Sequence, residues 1–284
     1  MNPGDKMDGI LLVNKPSGMT SHDVVNKIRR VLKTKKVGHC GTLDPDATGV
    51  LVICVGKATK ALQFLTSEEK EYIATLSLGT STDTYDASGK VVETKEFEGI
   101  NHLEEVLQSF IGKQMQMPPI YSAIKVNGRK LYEYARNNEK VEIQPREVEI
   151  KELELLDIQE HLITLRVSCS KGTYIRSLCV DIAKSLGYPG HMSHLIRSRS
   201  GHFDIKDCFS LEDIESGQFQ LLTLEEAFKS FDHYVIDDEN IVYHGKLIKS
   251  DIDHQVVVVN RLGKVLAVYG PNGEGYLKSI RGLF

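Results

Sequence analysis

The stretch that decides the fold is Val37-Gly-His-Cys-Gly-Thr-Leu-Asp-Pro-Asp-Ala-Thr-Gly-Val-Leu-Val-Ile-Cys-Val55, in which a polar loop with three glycines runs into six apolar residues. These six residues, Val50 to Val55, are largely β-branched, and such a run predicts a strand buried on both faces. Asp44 lies in the loop before the strand, and Pro45 favours an extended backbone at this aspartate. We therefore expect the loop to hold the Asp44 carboxylate in a fixed position.

Two simpler interpretations of the loop stay open at this point. Asp-Pro and Thr-Gly are common turn dipeptides, so Asp44 could only cap a turn. Asp44 and Asp46 also form an Asp-x-Asp pair of the kind that binds metal ions. No histidine or glutamate stands at ligand spacing, so we expect no metal site.

The composition is that of a globular protein with room for a full core and a smaller second domain. The chain has 284 residues, of which 41% are hydrophobic and 26% are charged. Its longest apolar runs have six residues or fewer, and residues 1–7 lack the apolar core of a signal peptide. The five cysteines are odd in number and show no Cys-x-x-Cys spacing. We expect a cytoplasmic protein with reduced thiols and no membrane contact.

Charge is distributed unevenly although the formal net charge is −4. Basic residues gather at 27–36 and 191–202, whereas acidic residues gather around 93–105, 147–160 and 225–239. This segregation is compatible with one basic face that follows nucleic-acid phosphates. A solvated helix face beside an ordinary loop would give the same pattern.

Periodicity predicts alternating strands and helices up to residue 230. Thr20 or Ser21 is expected to cap the first helix, and Thr173 the helix that opens near residue 171. Asn127-Gly128 predicts a hairpin turn. The expected strands cover 9–13, 50–55, 71–78, 90–94, 122–126, 146–156 and 161–169. The expected helices cover 22–33, 57–65, 101–111, 130–136 and 171–186. A basic loop or strand is expected at 197–203, and two short helical pieces are expected within 210–229.

After residue 231 the pattern changes to short strands separated by glycine and asparagine turns. This change predicts a small β-rich domain over 231–284, after a larger domain over 1–230.

Gly-x-Gly-x-x-Gly and the P-loop motif are both absent from the sequence, which argues against dinucleotide and P-loop chemistry. We expect no cofactor.

Five motifs, in order along the chain, resemble those of the bacterial tRNA pseudouridine synthase B family. The loop Gly38 to Gly49 resembles the catalytic-aspartate motif of this family, with Cys40 where threonine is more usual. The small β tail is similar to the family's RNA-binding PUA-type domain. The other four motifs are Asn14-Lys15-Pro16-x-Gly18-x-Thr20-Ser21, Lys70-Glu71-Tyr72, Gly172-Thr173-Tyr174-Ile175-Arg176-Ser177-Leu178 and His194-Leu195-x-Arg197.

The resemblance implies an α+β fold with a mixed, mainly antiparallel central sheet flanked by helices, plus the PUA-like tail. It also implies that uridine 55 in the T-arm loop of tRNA is flipped out and isomerised to pseudouridine. The implied partner is the T-arm stem-loop. We expect a monomer without an obligate protein partner.

The resemblance also implies roles for single residues. Asp44 would be the essential carboxylate, kept ionised by Arg176, and a nearby arginine lowers a carboxylate pKa. Tyr72 would stack on the uracil and is a candidate to remove the carbon-5 proton. Tyr174 would shape the pocket and orient Arg176, whose other partner would be Asp86.

The remaining implied residues lie on the RNA side of the site. His39 would contact RNA, and Asp86 and Leu195 are assigned to this side by resemblance. Phosphate contacts are expected from Lys15, Lys60, Arg197 and Arg199. Without the motif context, the two tyrosines could equally be core residues, His39 a turn residue and Arg176 a surface residue.

Two other functions fit the same residues. A non-catalytic RNA-folding factor would bind tRNA through the basic face without turnover. A hydrolase would cleave the glycosidic bond outright and release uracil, although glycoside hydrolysis usually needs two carboxylates.

Overall fold

The computed structural model describes residues 7–66, 69–137 and 139–284, and the chain forms two compact units. Unit 1 consists of Met1–Pro45, Val50–Ser67 and His202–Phe284. Unit 2 consists of Asp46–Gly49 and Glu68–Gly201. The predicted boundary after residue 230 falls inside unit 1, and it stays a prediction.

The N-terminal part of unit 1 is built around the predicted buried strand. Its elements are β1 (Gly9–Lys15), α1 (Ser21–Val31), β2 (Val37–Cys40), β3 (Thr48–Val55), a 3-10 helix (Gly56–Ala61) and α2 (Leu62–Leu65). Strand β3 neighbours β1 and pairs antiparallel with β2. Val50, Val52 and Cys54 point into one core cluster, and the three residues between and after them point into another. The prediction of a strand buried on both faces is confirmed.

Local sequence explains both the start of α1 and the short helix after β3. Thr20 is the N-cap of α1, and it exchanges hydrogen bonds with Asp23 in a capping box. The helix predicted over 57–65 is mostly a 3-10 helix, so that prediction was wrong in type. The Thr59 hydroxyl donates to the Gly56 carbonyl at 2.7 Å. This carbonyl would accept the first α-helical bond, and a hydroxyl that occupies it favours a tighter turn.

Unit 2 holds a mainly antiparallel sheet in the order β12-β4-β11-β10-β7. The first residues of β3 add a parallel pair, since Thr48 and Gly49 lie opposite Ile196 and Arg197 of β12. The elements of unit 2 are β4 (Lys70–Leu78), β5 (Thr80–Thr82), β6 (Val91–Thr94), α3 (Leu103–Ser109), β7 (Gly112–Gln116), β8 (Lys125–Val126), β9 (Arg129–Lys130), α4 (Leu131–Arg136), β10 (Arg146–Gln159), β11 (Leu162–Cys169), α5 (Ile175–Ser185) and β12 (Gly190–Ser200).

Several predictions in unit 2 differ from the structure. The strand expected at 122–126 is reduced to Lys125–Val126, and β12 already begins at Gly190, before the basic segment expected at 197–203. Strand β7 was not predicted, because Gly-Lys-Gln-Met-Gln contains no β-branched residue. Strand β5 lies between the strands predicted at 71–78 and 90–94, where no strand was expected. Thr173 is not the N-cap of α5, since its hydroxyl donates to the Ser170 carbonyl at 2.9 Å and Tyr174 takes the N-cap position. The Asn127-Gly128 hairpin is confirmed, and both residues have positive φ.

The C-terminal part of unit 1 carries a five-stranded sheet in the order β14-β16-β17-β18-β15. One face of this sheet forms its own core around Tyr269, while Val257 and Val268 on the other face join the cluster that contains Ile10 and Val50. The elements are β13 (Phe203–Asp204), a 3-10 helix (Ile205–Asp207), α6 (Leu211–Glu215), α7 (Leu224–Ala227), β14 (His233–Ile236), α8 (Glu239–Tyr243), β15 (Ile248–Lys249), β16 (Val256–Asn260), β17 (Val265–Pro271) and β18 (Tyr276–Gly282).

The predicted fold class is confirmed: helices accompany a mixed, mainly antiparallel sheet, and a β-rich segment follows. Across the described residues, 7–66, 69–137 and 139–284, no helix has the length and apolarity needed to cross a membrane.

Candidate active site

The backbone on both sides of Asp44 is held by the N-terminal motif of unit 1. On one side, the Ser21 hydroxyl accepts from the Leu43 N–H at 2.9 Å and donates to the Leu43 carbonyl at 3.1 Å. On the other side, the Pro45 carbonyl accepts from the Gly18 N–H at 3.0 Å and from the Lys15 ammonium at 2.8 Å. Asp44 itself is half-buried. These contacts fix its position, as the loop sequence predicted.

Lys15 is one of the most buried side chains in the protein, and the structure does not support the predicted phosphate contact. Its exposed fraction is 0%, and its ammonium also donates to the Pro16 carbonyl at 2.8 Å and the Met19 carbonyl at 2.6 Å. A buried ammonium needs such partners, since burial of an unpaired charge is costly. Lys15 therefore joins the turn after β1 to the Asp44 loop.

The other two site residues predicted in unit 1 lie on separate elements. His39 belongs to β2, opposite Ile53 of β3, and its role in RNA contact stays a prediction. The Lys60 ammonium donates to the Phe284 carbonyl at 2.6 Å and lies 5.5 Å from the centre of the Phe284 ring. This ammonium is therefore occupied by the C-terminal segment of unit 1, which does not support a free phosphate contact.

In unit 2 the sheet register places a row of residues from three motifs side by side. Gly49 lies opposite Arg197 of β12, Arg197 lies opposite Tyr72 of β4, and Tyr72 lies opposite Val167 of β11. Gly49 has a φ of +103°, and a Cβ atom there would overlap the Arg197 carbonyl oxygen. Glycine is therefore required where the Asp44 loop enters the strand.

The basic residues predicted on β12 are not freely exposed. Arg197 is 1% exposed and Leu195 is buried, so the structure does not support a surface phosphate contact by Arg197. The Arg199 guanidinium donates to the Glu71 carboxylate at 3.2 Å. Its predicted phosphate contact would have to compete with this ion pair.

Arg176 is held at the start of α5 by acceptors from two distant segments. Its guanidinium donates to the Thr84 carbonyl and to the Tyr121 carbonyl, each at 3.0 Å, and lies 3.4 Å from the Asp86 carboxylate. Only 5% of Arg176 is exposed. The predicted pairing of Arg176 with Asp86 is confirmed, and this pairing leaves Asp86 better suited to orient the arginine than to bind RNA.

Asp86 is itself fixed by a tight turn. Its carboxylate accepts from the Thr84 hydroxyl at 2.7 Å and from the Ser88 hydroxyl at 2.6 Å. The Ala87 N–H donates to the Met192 carbonyl of β12 at 3.1 Å. The turn is thus joined to the sheet, which holds the carboxylate beside Arg176.

Tyr174 comes directly before α5, and its backbone is bound by a side chain that the sequence did not single out. Gln116, at the end of β7, accepts from the Tyr174 N–H at 2.8 Å and donates to the Tyr174 carbonyl at 3.1 Å. Sequence reasoning missed Gln116 altogether, and it predicted Ser21 as a helix cap or motif residue without its bonds to Leu43. Their partners are 58 and 22 positions away, and no local pattern reports such contacts.

The cysteines are poor candidates for a nucleophile. All five are free, and burial raises the pKa of the Cys179 thiol to about 12 and that of Cys169 to about 11. A thiol attacks as its thiolate, which is scarce at neutral pH when the pKa is this high. Within the described ranges, 7–66, 69–137 and 139–284, no three histidine, cysteine or acidic side chains are grouped as a metal site.

Comparisons with known proteins give the same family for both halves of the catalytic region. Residues 29–175 match the model of the TruB family pseudouridylate synthase N-terminal domain, and residues 176–238 match that of the tRNA pseudouridylate synthase B C-terminal domain. The chain is 49% identical to a tRNA pseudouridine synthase B of Oceanobacillus iheyensis and 44% identical to one of Bacillus cereus. Each alignment covers 97% of both chains.

Solved structures agree on the fold. A Cbf5–Nop10–Gar1 complex matches with a TM-score of 0.72 at 27% identity, covering 92% of this chain and 78% of the other. An archaeal box H/ACA Nop10–Cbf5 complex matches with a TM-score of 0.73 at 23% identity, covering 97% and 86%. With the family models and the close relatives, these findings show that the chain belongs to the TruB family of pseudouridylate synthases and is an isomerase.

Proposed function

We propose that this protein converts uridine 55 in the T-arm loop of tRNA to pseudouridine. The curated relatives are tRNA pseudouridine synthases B, which supports tRNA as the substrate. The observation that carries the proposal is the loop around Asp44, whose flanking residues Leu43 and Pro45 are both held by the N-terminal motif. A carboxylate in a fixed position is what a reaction at one nucleoside requires.

The reaction exchanges one bond of the nucleoside for another. The bond from the sugar C1′ to N1 of uracil breaks, the base turns, and C1′ bonds to C5. The hydrogen on C5 leaves as a proton, and N1 gains one. The balance needs no oxidant and no phosphate, so the proposal includes no cofactor.

Asp44 is proposed to act as the nucleophile or base in this exchange, which requires its ionised form. Attack on C1′, attack on C6 of the ring and removal of a sugar proton are the three open routes. The pairing of Arg176 with Asp44 stays a prediction from the resemblance. Tyr72 is proposed to stack on the uracil and to accept the C5 proton, and its burial on β4 supports a fixed ring.

A uridine within the folded T-loop must leave its stack to be reached. Flipping costs a few kcal/mol, which stacking and phosphate contacts offset. We propose that the exposed lysines after α1, Lys33, Lys35 and Lys36, supply phosphate contacts. The β-rich tail is proposed to act as a PUA-like RNA-binding domain. The enzyme is proposed to act in the cytoplasm as a monomer without an obligate protein partner.

The test is tritium release from a T-arm stem-loop labelled at C5 of uridine. Asp44→Asn should lower the rate by at least about 10⁴-fold, as removal of an essential nucleophile does elsewhere. Asp46→Asn is the matched control, because Asp46 is an exposed carboxylate two residues further on. It should keep the rate close to that of the wild type.

Several outcomes would contradict the proposal. A wild-type rate in Asp44→Asn would remove the carboxylate from the chemistry. Release of free uracil would indicate a hydrolase, and tRNA binding without tritium release would indicate an RNA-folding factor. Tritium release from a transcript with cytidine at position 55 and labelled uridines elsewhere would contradict the assigned position.

A further inference from the structure

Gln116 makes an unusual pair of contacts with the residue that precedes α5. Its Oε1 accepts from the Tyr174 N–H at 2.8 Å, and its Nε2 donates to the Tyr174 carbonyl at 3.1 Å. One amide side chain thus binds both polar groups of one backbone residue, as a neighbouring strand would. Gln116 is only 3% exposed, so these bonds are shielded from water.

The residues that follow Gln116 contact the same turn of helix. The Met117 carbonyl accepts from the Ser177 hydroxyl at 2.8 Å, and the Tyr121 carbonyl accepts from the Arg176 guanidinium at 3.0 Å. We call residues 116–121 the strap. The strap therefore binds the first turn of α5 at three successive points, and Gln116 is the contact that reaches Tyr174.

Gln116 binds the backbone of the N-cap residue of α5, whose own side chain does not cap the helix. Tyr174 has an extended backbone, with φ −97° and ψ 107°, and its side chain makes no capping bond to the helix. The first N–H groups of a helix lack partners within it. The bonds from Gln116 thus decide where the chain turns into the helix, and with it the direction of the Tyr174 and Arg176 side chains.

We propose that Gln116 is a positioning residue that sets the placement of Tyr174 and Arg176 for the reaction. This inference rests on the proposed function, since it takes both side chains as part of the site. Both of these side-chain bonds of Gln116 go to backbone groups. Its loss is therefore expected to lower kcat and to leave tRNA binding nearly unchanged, because misplacement of about 1 Å can cost about 100-fold in rate.

Gln116→Met and Gln116→Glu test the proposal, with the same changes at Gln114 as controls. Gln114 lies two residues earlier on the same strand, and its side-chain amide donates to the Phe110 carbonyl at 2.7 Å. Gln116→Met keeps the length and removes both bonds. We expect kcat for pseudouridine formation to fall about 10- to 100-fold, with KM within about 3-fold of the wild type.

Gln116→Glu adds a readout that a general loss of packing would not give. The ionised carboxylate can accept from the Tyr174 N–H but cannot donate to the Tyr174 carbonyl, which it would repel. A protonated carboxyl restores both bonds, and burial favours the protonated form. The kcat of Gln116→Glu, relative to the wild type at each pH, should therefore rise as the pH falls from 8 to 5.5, whereas Gln114→Glu should show no such change.

Hydrogen exchange at the Tyr174 amide supplies a measurement that does not depend on activity. Exchange at this amide should be at least about 10-fold faster in Gln116→Met, with Ile182 and Ala183 at the wild-type rate. Wild-type kcat and wild-type Tyr174 exchange in Gln116→Met would overturn the proposal. Equal losses of kcat at all pH values in Gln116→Glu would overturn it too. A wild type that forms no pseudouridine would instead refute the proposed function, and faster Tyr174 exchange would still establish the contact.

Discussion

Two buried cations, Lys15 in unit 1 and Arg176 in unit 2, solve the same physical problem in different ways. Lys15 donates to three backbone carbonyls, those of Pro16, Met19 and Pro45. Arg176 donates to two carbonyls and also faces the Asp86 carboxylate. An ammonium is a point charge with three donors, whereas a guanidinium is a planar fork with five. Lys15 therefore suits the joining of two turns, and Arg176 suits a fixed orientation.

The difference teaches that a positive residue in a functional motif need not touch the substrate. Lys15 and Arg197 belong to motifs of an RNA-modifying family, and both are buried almost completely. In the structure, both residues have structural contacts. Lys15 binds the Asp44 loop, and Arg197 lies opposite Gly49 and Tyr72 in the sheet. The exposed lysines after α1 remain the better candidates for phosphate contacts.

Among the changes that bear on this comparison, Arg176→Lys should have the largest effect, because it replaces the fork by a point charge. The lysine cannot reach the Thr84 carbonyl, the Tyr121 carbonyl and Asp86 together, so we expect kcat to fall by about 100-fold or more. The fold should stay intact by circular dichroism. Arg166→Lys is the control, since Arg166 pairs with Glu154 at the surface of β11. Near-normal turnover of Arg176→Lys would contradict the role of the fork.

Lys15→Met should mainly lower stability. Three carbonyls lose their donor in a buried place, which we expect to cost about 2–4 kcal/mol of the free energy of unfolding. Urea denaturation measures this loss, and Lys57→Met serves as the exposed control. The salt dependence of tRNA binding should be unchanged. Lys15→Met could instead be as stable as the control and bind tRNA with a smaller salt slope. That result would support the predicted phosphate contact of Lys15.

The smallest effect is expected from exposed cations. The double variant Lys35→Ala, Lys36→Ala should weaken tRNA binding and lower the slope of log K against log salt by about 2, with little change in stability. Lys113→Ala combined with Lys151→Ala is the matched control, because these lysines face Glu147 and Glu69. A slope equal to that of the control would remove the 35–36 pair from the interface.

Much of the fold followed from local patterns. The apolar run at 50–55, the alternation along β4, the capping box of α1 and the Asn127-Gly128 turn each depend on residues close in sequence. The strands β2, β5 and β7 and the first part of β12 were not predicted, since none of them has a strong apolar alternation and all depend on their neighbours. For the site, the motif residues and the pairing of Arg176 with Asp86 were predicted, whereas the phosphate role of Lys15 and Arg197 was not supported.

The sequence by itself determined the family motifs and the buried strand β3, because these depend on residue type and short-range spacing. Only the tertiary structure decided which charges are buried and which backbone groups hold the site. Lys15 meets Pro45 across 30 positions, and Gln116 meets Tyr174 across 58. Such bonds form after the chain has folded back on itself, so their partners are chosen by packing and not by local pattern.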